Sequence, residues 1–260
     1  MAEFEKIEIE VKDKQITIWL NQPETRNALN HSLIEELIKV FKWISTQKNI
    51  MVIVLRGRGS SFCAGADLNW MISSGLLDYQ NCYKDSEILA ECFHTIYQSD
   101  KVVINLVHGN VFGGAFGFLG AADFTFAVEG TRFCLPELRL GLIPSVILPY
   151  LLTKVKATDI KYYTITNGIF PSEEAAGKGF IDYVCDTIDE AEHKSNELIQ
   201  KIYVGSPDAL TETKHLFRDL NKCLVNQENI KNTVNIITRL KMSDDSRERM
   251  SAFLAKKSDR

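Results

Sequence analysis

The chain has 260 residues and a net charge of −4, with 45% hydrophobic and 25% charged residues. This composition is typical of a globular protein with a substantial core, and the acidic balance argues against nucleic-acid or polybasic membrane partners. The charged start contains no signal-peptide pattern, no apolar run reaches the length of a membrane span, and the six cysteines lack CxxC spacing. We therefore expect a cytoplasmic protein with reduced thiols and no bound metal.

The first predicted elements are a β-hairpin and a helix. Apolar and charged residues alternate over 5–11, and a second apolar segment covers 15–20, which is typical of a half-buried hairpin. Apolar residues at helical spacing predict a helix over 30–46. Ser32 and Glu35 fit a capping box at the start of this helix.

Further along the chain, buried strands alternate with helices. Continuous apolar runs predict the strands, at 51–57, 102–109, 123–128 and 180–185. Helical patterns predict a helix from Asp67, a longer one at about 80–98, a short buried one at 114–122 and a capped short one at 172–179. From about residue 189 the pattern is helical only. The sequence thus predicts an α/β protein with repeated strand–strand–helix units over 1–188 and a helical region over 189–260.

Two buried strands end in glycine-bearing loops that open helices. The loops are "SSFCAGADLNW" (60–70) and "GNVFGGAFG" (109–117). The first amide groups of a helix have no internal partner, and small residues let a ligand approach the backbone closely. Two such amides aimed at one point would form an oxyanion hole, which stabilises a carbonyl that gains negative charge. Tight helix–strand packing also requires small residues and is the alternative for either loop alone.

Four segments in this order carry a resemblance to a known family. They are "NQPETRNALN" (21–30), "SFCAGADLNWM" (61–71), "VHGNVFGGAFG" (107–117) and "FCLPELRLGLIPS" (133–145). Together they resemble the crotonase superfamily of enoyl-CoA hydratases and isomerases. The resemblance implies a spiral of repeated ββα units, a C-terminal helical trimerisation region, and a homotrimer or a dimer of trimers. It also implies acyl-CoA thioester substrates, with coenzyme A as part of the substrate and no prosthetic group.

The resemblance assigns roles to individual residues. It places the oxyanion-hole amides at Ala66 and Gly114, and a catalytic carboxylate at Glu137. It places the coenzyme A contacts at Arg26, Ala28, Ala64, Asp67, Leu68, Phe253 and Lys256, the last two often donated to a neighbouring subunit's site. Asp67 could also be an acid, but its position favours a cap on the helix that follows.

The expected site lacks one carboxylate. Hydratases of this family usually carry a second glutamate three residues beyond the second oxyanion glycine, where this chain has Gly117. The segment 109–117 would therefore supply a hydrogen-bond donor, the Gly114 amide, and open space, but no side chain that transfers a proton. Hydratases also commonly continue "IPGAGG", whereas this chain reads "IPSVILPY" (143–150). We expect Ser145, Val146 and Ile147 to alter the pocket, and Val146 and Ile147 to fill the region that a carboxylate at 117 would enter.

With these departures, the sequence resembles a single-glutamate branch of the superfamily. This branch includes bacterial methylglutaconyl-CoA hydratase-like proteins and polyketide β-branching dehydratases. The first hypothesis is therefore a hydratase or dehydratase acting on a 2-enoyl or 3-hydroxyacyl thioester, expected to be branched. A Δ3,Δ2-enoyl-CoA isomerase, or a dehydratase of a 3-hydroxy-3-methylglutaryl group on an acyl carrier protein, is the alternative.

Two further possibilities depend on single features. Arg139 would share a face with Glu137 in an extended segment and could bind a distal carboxylate of the acyl group, although a plain surface position is the simpler interpretation. The absent glutamate also allows a non-catalytic thioester-binding or RNA-binding protein. The acidic net charge and the retained set of Ala66, Gly114 and Glu137 argue against that possibility.

Overall fold

The computed structural model describes residues 4–258. Residues 1–3 and 259–260, which belong to the two predicted regions 1–188 and 189–260, lie outside the described residues. Strands within 4–258 are β1 (Ile7–Lys12), β2 (Gln15–Leu20), β3 (Val52–Gly57), β4 (Val102–Val107), β5 (Asn110–Phe112), β6 (Phe124–Val128), β7 (Arg132–Cys134), β8 (Phe170–Pro171) and β9 (Tyr183–Cys185). Helices of this part are α1 (His31–Ser45), α2 (Leu68–Gly75), α3 (Tyr79–Tyr97), α4 (Phe116–Ala121), α5 (Leu148–Leu151), α6 (Ala157–Thr166), α7 (Ser172–Gly177), α8 (Ile188–Tyr203), α9 (Pro207–Leu220), α10 (Gln227–Lys241) and α11 (Asp244–Ser258).

A six-stranded sheet organises the first part of the chain. Its strand order is β1-β2-β3-β4-β6-β9. The predicted hairpin is confirmed, since β1 and β2 pair antiparallel, and the remaining neighbours pair in parallel. Strand β3 is buried on both faces. Ile53 and Leu55 belong to the larger hydrophobic core, while Val52 and Val54 belong to a second core against α8.

A second layer of short strands completes the spiral. Strands β5, β7 and β8 form a small sheet. Two isolated parallel bridges, Leu29 with Ala66 and Cys63 with Val111, add the loops after β2 and β3 to this layer. Each of β3, β4 and β6 therefore runs through the large sheet and is followed by a short segment in the second layer. This arrangement is the predicted repeat of two strands and a helix.

Two predicted helix caps are wrong. Asn30, not Ser32, caps α1, because its extended backbone places the side-chain oxygen 2.9 Å from the amide nitrogen of Leu33. Ser32 already lies inside the helix, and asparagine caps as well as serine does. Helix α7 begins at Ser172, and Pro171 precedes it without any side-chain cap, because proline has no side-chain acceptor.

The C-terminal helices pack against the spiral. Helix α8 lies on β4, β6 and β9, α10 packs along α3, and α11 packs on α2 and on a 3₁₀ turn at Glu137–Leu140. The bounds of α10 were not predicted separately from the rest of the helical region. No helix within residues 4–258 is long and apolar enough to cross a membrane.

Candidate active site

The two predicted oxyanion amides lie side by side. Gly65 has a φ of +92°, and a Cβ on it would lie 2.6 Å from the Phe112 carbonyl oxygen and 3.6 Å from the Gly114 nitrogen. A Cβ on Gly114 would lie 3.7 Å from the Ala66 nitrogen. Only a residue without a side chain allows the two loops to approach this closely at Gly65. The two glycine loops therefore approach each other closely beside the amides of Ala66 and Gly114.

Backbone pairing turns the Ala66 amide away from its neighbouring strand. The amide of Leu29 donates to the Gly65 carbonyl at 2.8 Å, and the amide of Asp67 donates to the Leu29 carbonyl at 2.9 Å. In a parallel bridge of this kind, the residue between the two bonded positions points its own N–H to the opposite side. Among the backbone hydrogen bonds of the described loops, neither Ala66 nor Gly114 is a donor. Both amides are thus available to a ligand.

Asp67 has the capping role that its position suggested. Its Oδ1 accepts a hydrogen bond from the Trp70 amide at 3.0 Å, and α2 begins at the next residue. This bond satisfies one of the unpaired amides of the first turn of the helix. The carboxylate is therefore occupied in fixing the loop that carries Ala66.

Glu137 begins the 3₁₀ turn that follows β7, and its carboxylate lies beside the amide pair. Its Oε1 is 3.2 Å from the position of a Cβ on Gly113, which has a φ of +51°. Its Oε2 has no exposed surface and no hydrogen-bond partner among the described residues. Burial disfavours the charged form and raises the pKa of Glu137 to about 7, although a hydrogen bond from its own amide partly opposes this. A carboxyl group with this pKa can both accept and donate a proton near neutral pH.

Two adjoining cavities surround these groups. The inner cavity, of about 230 Å³, contains Glu137 and Gly114, and the outer groove, of about 830 Å³, contains Arg26 and Lys256. All ten predicted site residues line one cavity or both. Those of the inner cavity are Ala64, Ala66, Leu68, Gly114, Glu137 and Phe253, and those of the outer groove are Arg26, Ala28, Ala64, Ala66, Asp67, Leu68, Phe253 and Lys256. The structure thus brings the predicted residues together, while their roles stay predictions.

The inner cavity is mainly apolar. Among its described lining residues, Glu137 is the only carboxylate, Arg139 the only cation and Ser145 the only side-chain hydroxyl. Ser145 is buried, and its Oγ donates to the Thr233 carbonyl at 3.0 Å. No group of three or more His, Cys, Asp or Glu residues that could hold a metal occurs in the described part of the chain.

The space expected at Gly117 does not exist. A Cβ on this residue would lie 2.4 Å from two ring carbons of Phe93, which is fully buried on α3. The prediction that Val146 and Ile147 fill this region is therefore wrong in detail, because the Phe93 ring occupies it. Val146 and Ile147 line the inner cavity instead. No local sequence signal identifies Phe93, since a phenylalanine within a long amphipathic helix is an ordinary core residue.

The assumption of an extended segment at Arg139 is also wrong. Glu137 and Arg139 both lie in the 3₁₀ turn, so that they do not alternate as in a strand. Both nevertheless line the inner cavity. The Arg139 guanidinium donates one hydrogen bond to the Asn167 carbonyl, at 2.6 Å. Arg139, an exposed residue, therefore stands at the same mainly apolar cavity as Glu137, although not for the reason the sequence suggested.

The C-terminal helix closes the site of its own chain. Phe253, at the junction of the two cavities, and Lys256, at the outer groove, both belong to α11. Helix α11 folds back over α2 and the Glu137 turn, which brings both residues to the cavities of their own chain.

Comparisons with known proteins agree with this geometry. The sequence model of the enoyl-CoA hydratase/isomerase family matches residues 10–260. Bacillaene synthase dehydratase PksH of Bacillus subtilis is 29% identical over 182 residues, 70% of each chain. The 2,3-dehydroadipyl-CoA hydratase of Escherichia coli K12 is 26% identical over 247 residues, 95% of this chain and 94% of that one. The solved enoyl-CoA hydratase from Mycobacterium avium has a TM-score of 0.86 at 28% identity, with 96% of both chains covered. The chain therefore belongs to the enoyl-CoA hydratase/isomerase family of enzymes and has the crotonase fold.

Proposed function

We propose that this enzyme adds water to a 2-enoyl thioester, or removes it from a 3-hydroxyacyl thioester, with Glu137 as its single catalytic carboxylate. The observation that carries the proposal is the buried position of the Glu137 carboxylate and its raised pKa. Among the described residues, Glu137 is the only carboxylate at the inner cavity and its Oε2 has no hydrogen-bond partner, while its pKa is raised to about 7. The Phe93 ring leaves no room for a second carboxylate at Gly117.

The chemistry follows from the positions of the groups. The thioester carbonyl would accept hydrogen bonds from the amides of Ala66 and Gly114. Glu137 would take a proton from water as the water oxygen bonds to the β-carbon, and the electrons of the double bond would move to the carbonyl oxygen as an enolate. Glu137 would then return its proton to the α-carbon, which restores the carbonyl. Dehydration is the reverse sequence, and one carboxyl group suffices because it is reset in each cycle.

Ser145 is suited to hold the reacting water. Its hydroxyl proton is used in the bond to Thr233, so that only its lone pairs are left to face the cavity. A water molecule can donate one proton to Ser145 and the other to Glu137. This arrangement would replace the orienting role of an absent second carboxylate.

An isomerase uses the same groups without water. Glu137 would remove a proton from C2 of a 3-enoyl thioester and return it to C4, and the oxyanion amides would stabilise the intermediate dienolate. The presence of one carboxylate is compatible with this reaction too. Hydration increases the mass of the acyl group by one water, whereas isomerisation leaves it unchanged, so the products distinguish the two.

The outer groove supports a coenzyme A thioester. Arg26 and Lys256 both line it, and cations at a groove of this size suit the phosphates of a nucleotide. The PksH relative is the dehydratase of a synthase, so an acyl carrier protein stays the alternative carrier. A carrier-protein arm has no adenine nucleotide, and Arg26→Ala should therefore raise KM for coenzyme A thioesters much more than for carrier-protein thioesters.

Arg139 supports an acyl group with a distal carboxylate. Arg139, the one cation among the described residues of this mainly apolar cavity, can pair with such a carboxylate. The 2,3-dehydroadipyl-CoA hydratase relative is named for a substrate of this kind. Arg139→Gln should lower kcat/KM for 3-methylglutaconyl-CoA at least tenfold and leave crotonyl-CoA nearly unchanged. Equal effects on both substrates would show that Arg139 does not discriminate between them.

The deciding experiment is a product assay. Purified enzyme is incubated with crotonyl-CoA, 3-methylglutaconyl-CoA and a 3-enoyl-CoA, and the products are followed by mass spectrometry. We expect hydration of at least one 2-enoyl thioester. Glu137→Gln should reduce kcat by at least about 10²-fold, while a saturated acyl-CoA binds as before because the oxyanion donors are backbone groups. Ready isomerisation without any hydration would select the isomerase. A kcat for Glu137→Gln within threefold of wild type would rule out the single-glutamate mechanism.

The oligomeric state and the cellular location are also part of the proposal. Helix α9 exposes Leu216, Phe217 and Leu220, which is compatible with the homotrimer or dimer of trimers expected for the family. Sedimentation equilibrium measures this directly. The cytoplasmic location stays a prediction from the sequence.

A further inference from the structure

Three segments of the candidate active site are each tied to the C-terminal helices by one side-chain hydrogen bond. The segments are the Glu137 turn, the Ser145 stretch, and α2, which begins just after Ala66. The three bonds join Ser246 Oγ to the Gly141 carbonyl (2.7 Å), Ser145 Oγ to the Thr233 carbonyl (3.0 Å), and Lys241 Nζ to Ser74 Oγ (3.0 Å). The C-terminal helices are therefore hydrogen-bonded to three segments that form the site.

The contact at Ser246 reaches the turn that Glu137 begins. Ser246 is fully buried in the first turn of α11, and Gly141, its acceptor, ends the 3₁₀ turn that Glu137 begins. The approach is close, because a Cβ on Gly141 would lie 2.9 Å from Ser246 Oγ. Two backbone bonds close the turn, from the Gly141 amide to the Leu138 carbonyl and from the Leu142 amide to the Glu137 carbonyl. A shift of Ser246 is therefore transmitted to the backbone of Glu137.

The same helix reaches the outer groove. Phe253 follows Ser246 by seven residues, which is about two helical turns and about 10 Å along α11. Phe253 lines both cavities, and Lys256 lines the outer groove. A ligand that fills the outer groove would therefore hold α11 in place, and α11 holds the Glu137 turn through Ser246.

We propose that Ser246 is a positioning residue through which binding of the nucleotide arm in the outer groove fixes the Glu137 turn for catalysis. This rests on the proposed function. Part of the binding free energy of a remote substrate segment would then be used at the reacting atoms, so a truncated substrate would lose kcat as well as affinity.

The test compares two substrates in wild type and Ser246→Ala. The substrates are crotonyl-CoA and crotonyl-pantetheine, which lacks the nucleotide, or the 3-methylglutaconyl pair if the enzyme prefers that acyl group. Ser195→Ala is the matched control, since Ser195 is a buried serine of α8 whose hydroxyl bonds within its own helix, to the Glu192 carbonyl at 2.9 Å. Urea unfolding establishes that each variant is folded. If Ser246→Ala does not fold, Ser246→Cys, which keeps a weaker donor, replaces it.

We expect Ser246→Ala to lower kcat for the coenzyme A thioester about fivefold to tenfold and for the pantetheine thioester less than twofold. Ser195→Ala should change neither. Equal losses on both substrates, or no loss on either, would overturn the positioning role and leave the proposed function intact. Absence of turnover by the wild-type enzyme on every thioester would instead refute the proposed function, and the inference with it.

Discussion

Gly117→Ala is the smallest change that tests whether the position of the absent carboxylate is closed. The added Cβ would lie 2.4 Å from two ring carbons of Phe93. Carbon atoms in normal contact are about 3.5–4.0 Å apart, so the ring or the helix must move by about 1 Å. Phe93 is fully buried and packs edge-on against Phe118 with ring centroids 5.4 Å apart. We expect the free energy of unfolding to fall by about 1–3 kcal/mol, a large share of the ~5–15 kcal/mol that stabilises a typical domain.

Urea unfolding at fixed protein concentration measures this loss of unfolding free energy. The same substitution in a Phe93→Ala variant identifies its cause. Phe93→Ala alone should cost about 3–5 kcal/mol, because it empties a core position. In that background the clash is absent, so adding Gly117→Ala should cost less than about 0.5 kcal/mol. Gly177→Ala is the matched control, since a Cβ there meets nothing within 4 Å. A Gly117→Ala penalty that is the same with and without the Phe93 ring would refute the steric argument.

Three further predictions concern the site itself. Because the pKa of Glu137 is raised from 4.5 to about 7 in the folded state, the free energy of unfolding should fall by at most about 3–4 kcal/mol as the pH rises through this range. Glu137→Gln should remove this fall and be more stable than wild type at pH 8 but not at pH 4.5, as urea titrations at the two pH values can show. Asp67→Asn should keep kcat within about threefold of wild type, because asparagine can also cap α2. Asp67→Ala should lower the free energy of unfolding by about 0.5–2 kcal/mol, because the cap is lost. A large loss of kcat in Asp67→Asn would instead indicate that Asp67 acts as an acid. Ser145→Ala should slow hydration about tenfold yet leave deuterium exchange at the α-carbon of butyryl-CoA unchanged, as NMR in D₂O measures, and a parallel loss of both rates would contradict a role limited to water.

The sequence predicted the repeated elements well because their patterns are local. Strand β3 could be assigned from one apolar run, and the hairpin from alternation over a dozen residues. The predicted cap of α1 was wrong because several residues near a helix start can serve as a cap, and only the backbone conformation at Asn30 decides between them. Helix bounds could not be fixed more closely for the same reason.

The sequence likewise predicted some features of the candidate site and not others. The family motifs located the amides of Ala66 and Gly114 and the carboxylate of Glu137, since each lies within a short recognisable segment. The contact between Phe93 and Gly117 joins residues 24 positions apart in sequence, and that between Ser246 and Gly141 joins residues more than a hundred positions apart. No periodicity or spacing within one segment encodes such pairs. They require the packing of α3 and α11, which only the three-dimensional structure provides.

In the proposed mechanism, the absence of a second carboxylate and the raised pKa of Glu137 serve the same requirement. A group that must both take and return a proton in one cycle works best when its pKa is close to the working pH. Glu137 reaches that range through burial, and an additional carboxylate at residue 117 would add a charge to the same region. The Phe93 ring occupies the place of that carboxylate, and Phe253 of α11 lines the inner cavity that holds Glu137. In the proposed mechanism, the burial of one carboxyl group would supply the proton-transfer property that a two-carboxylate site divides between its members.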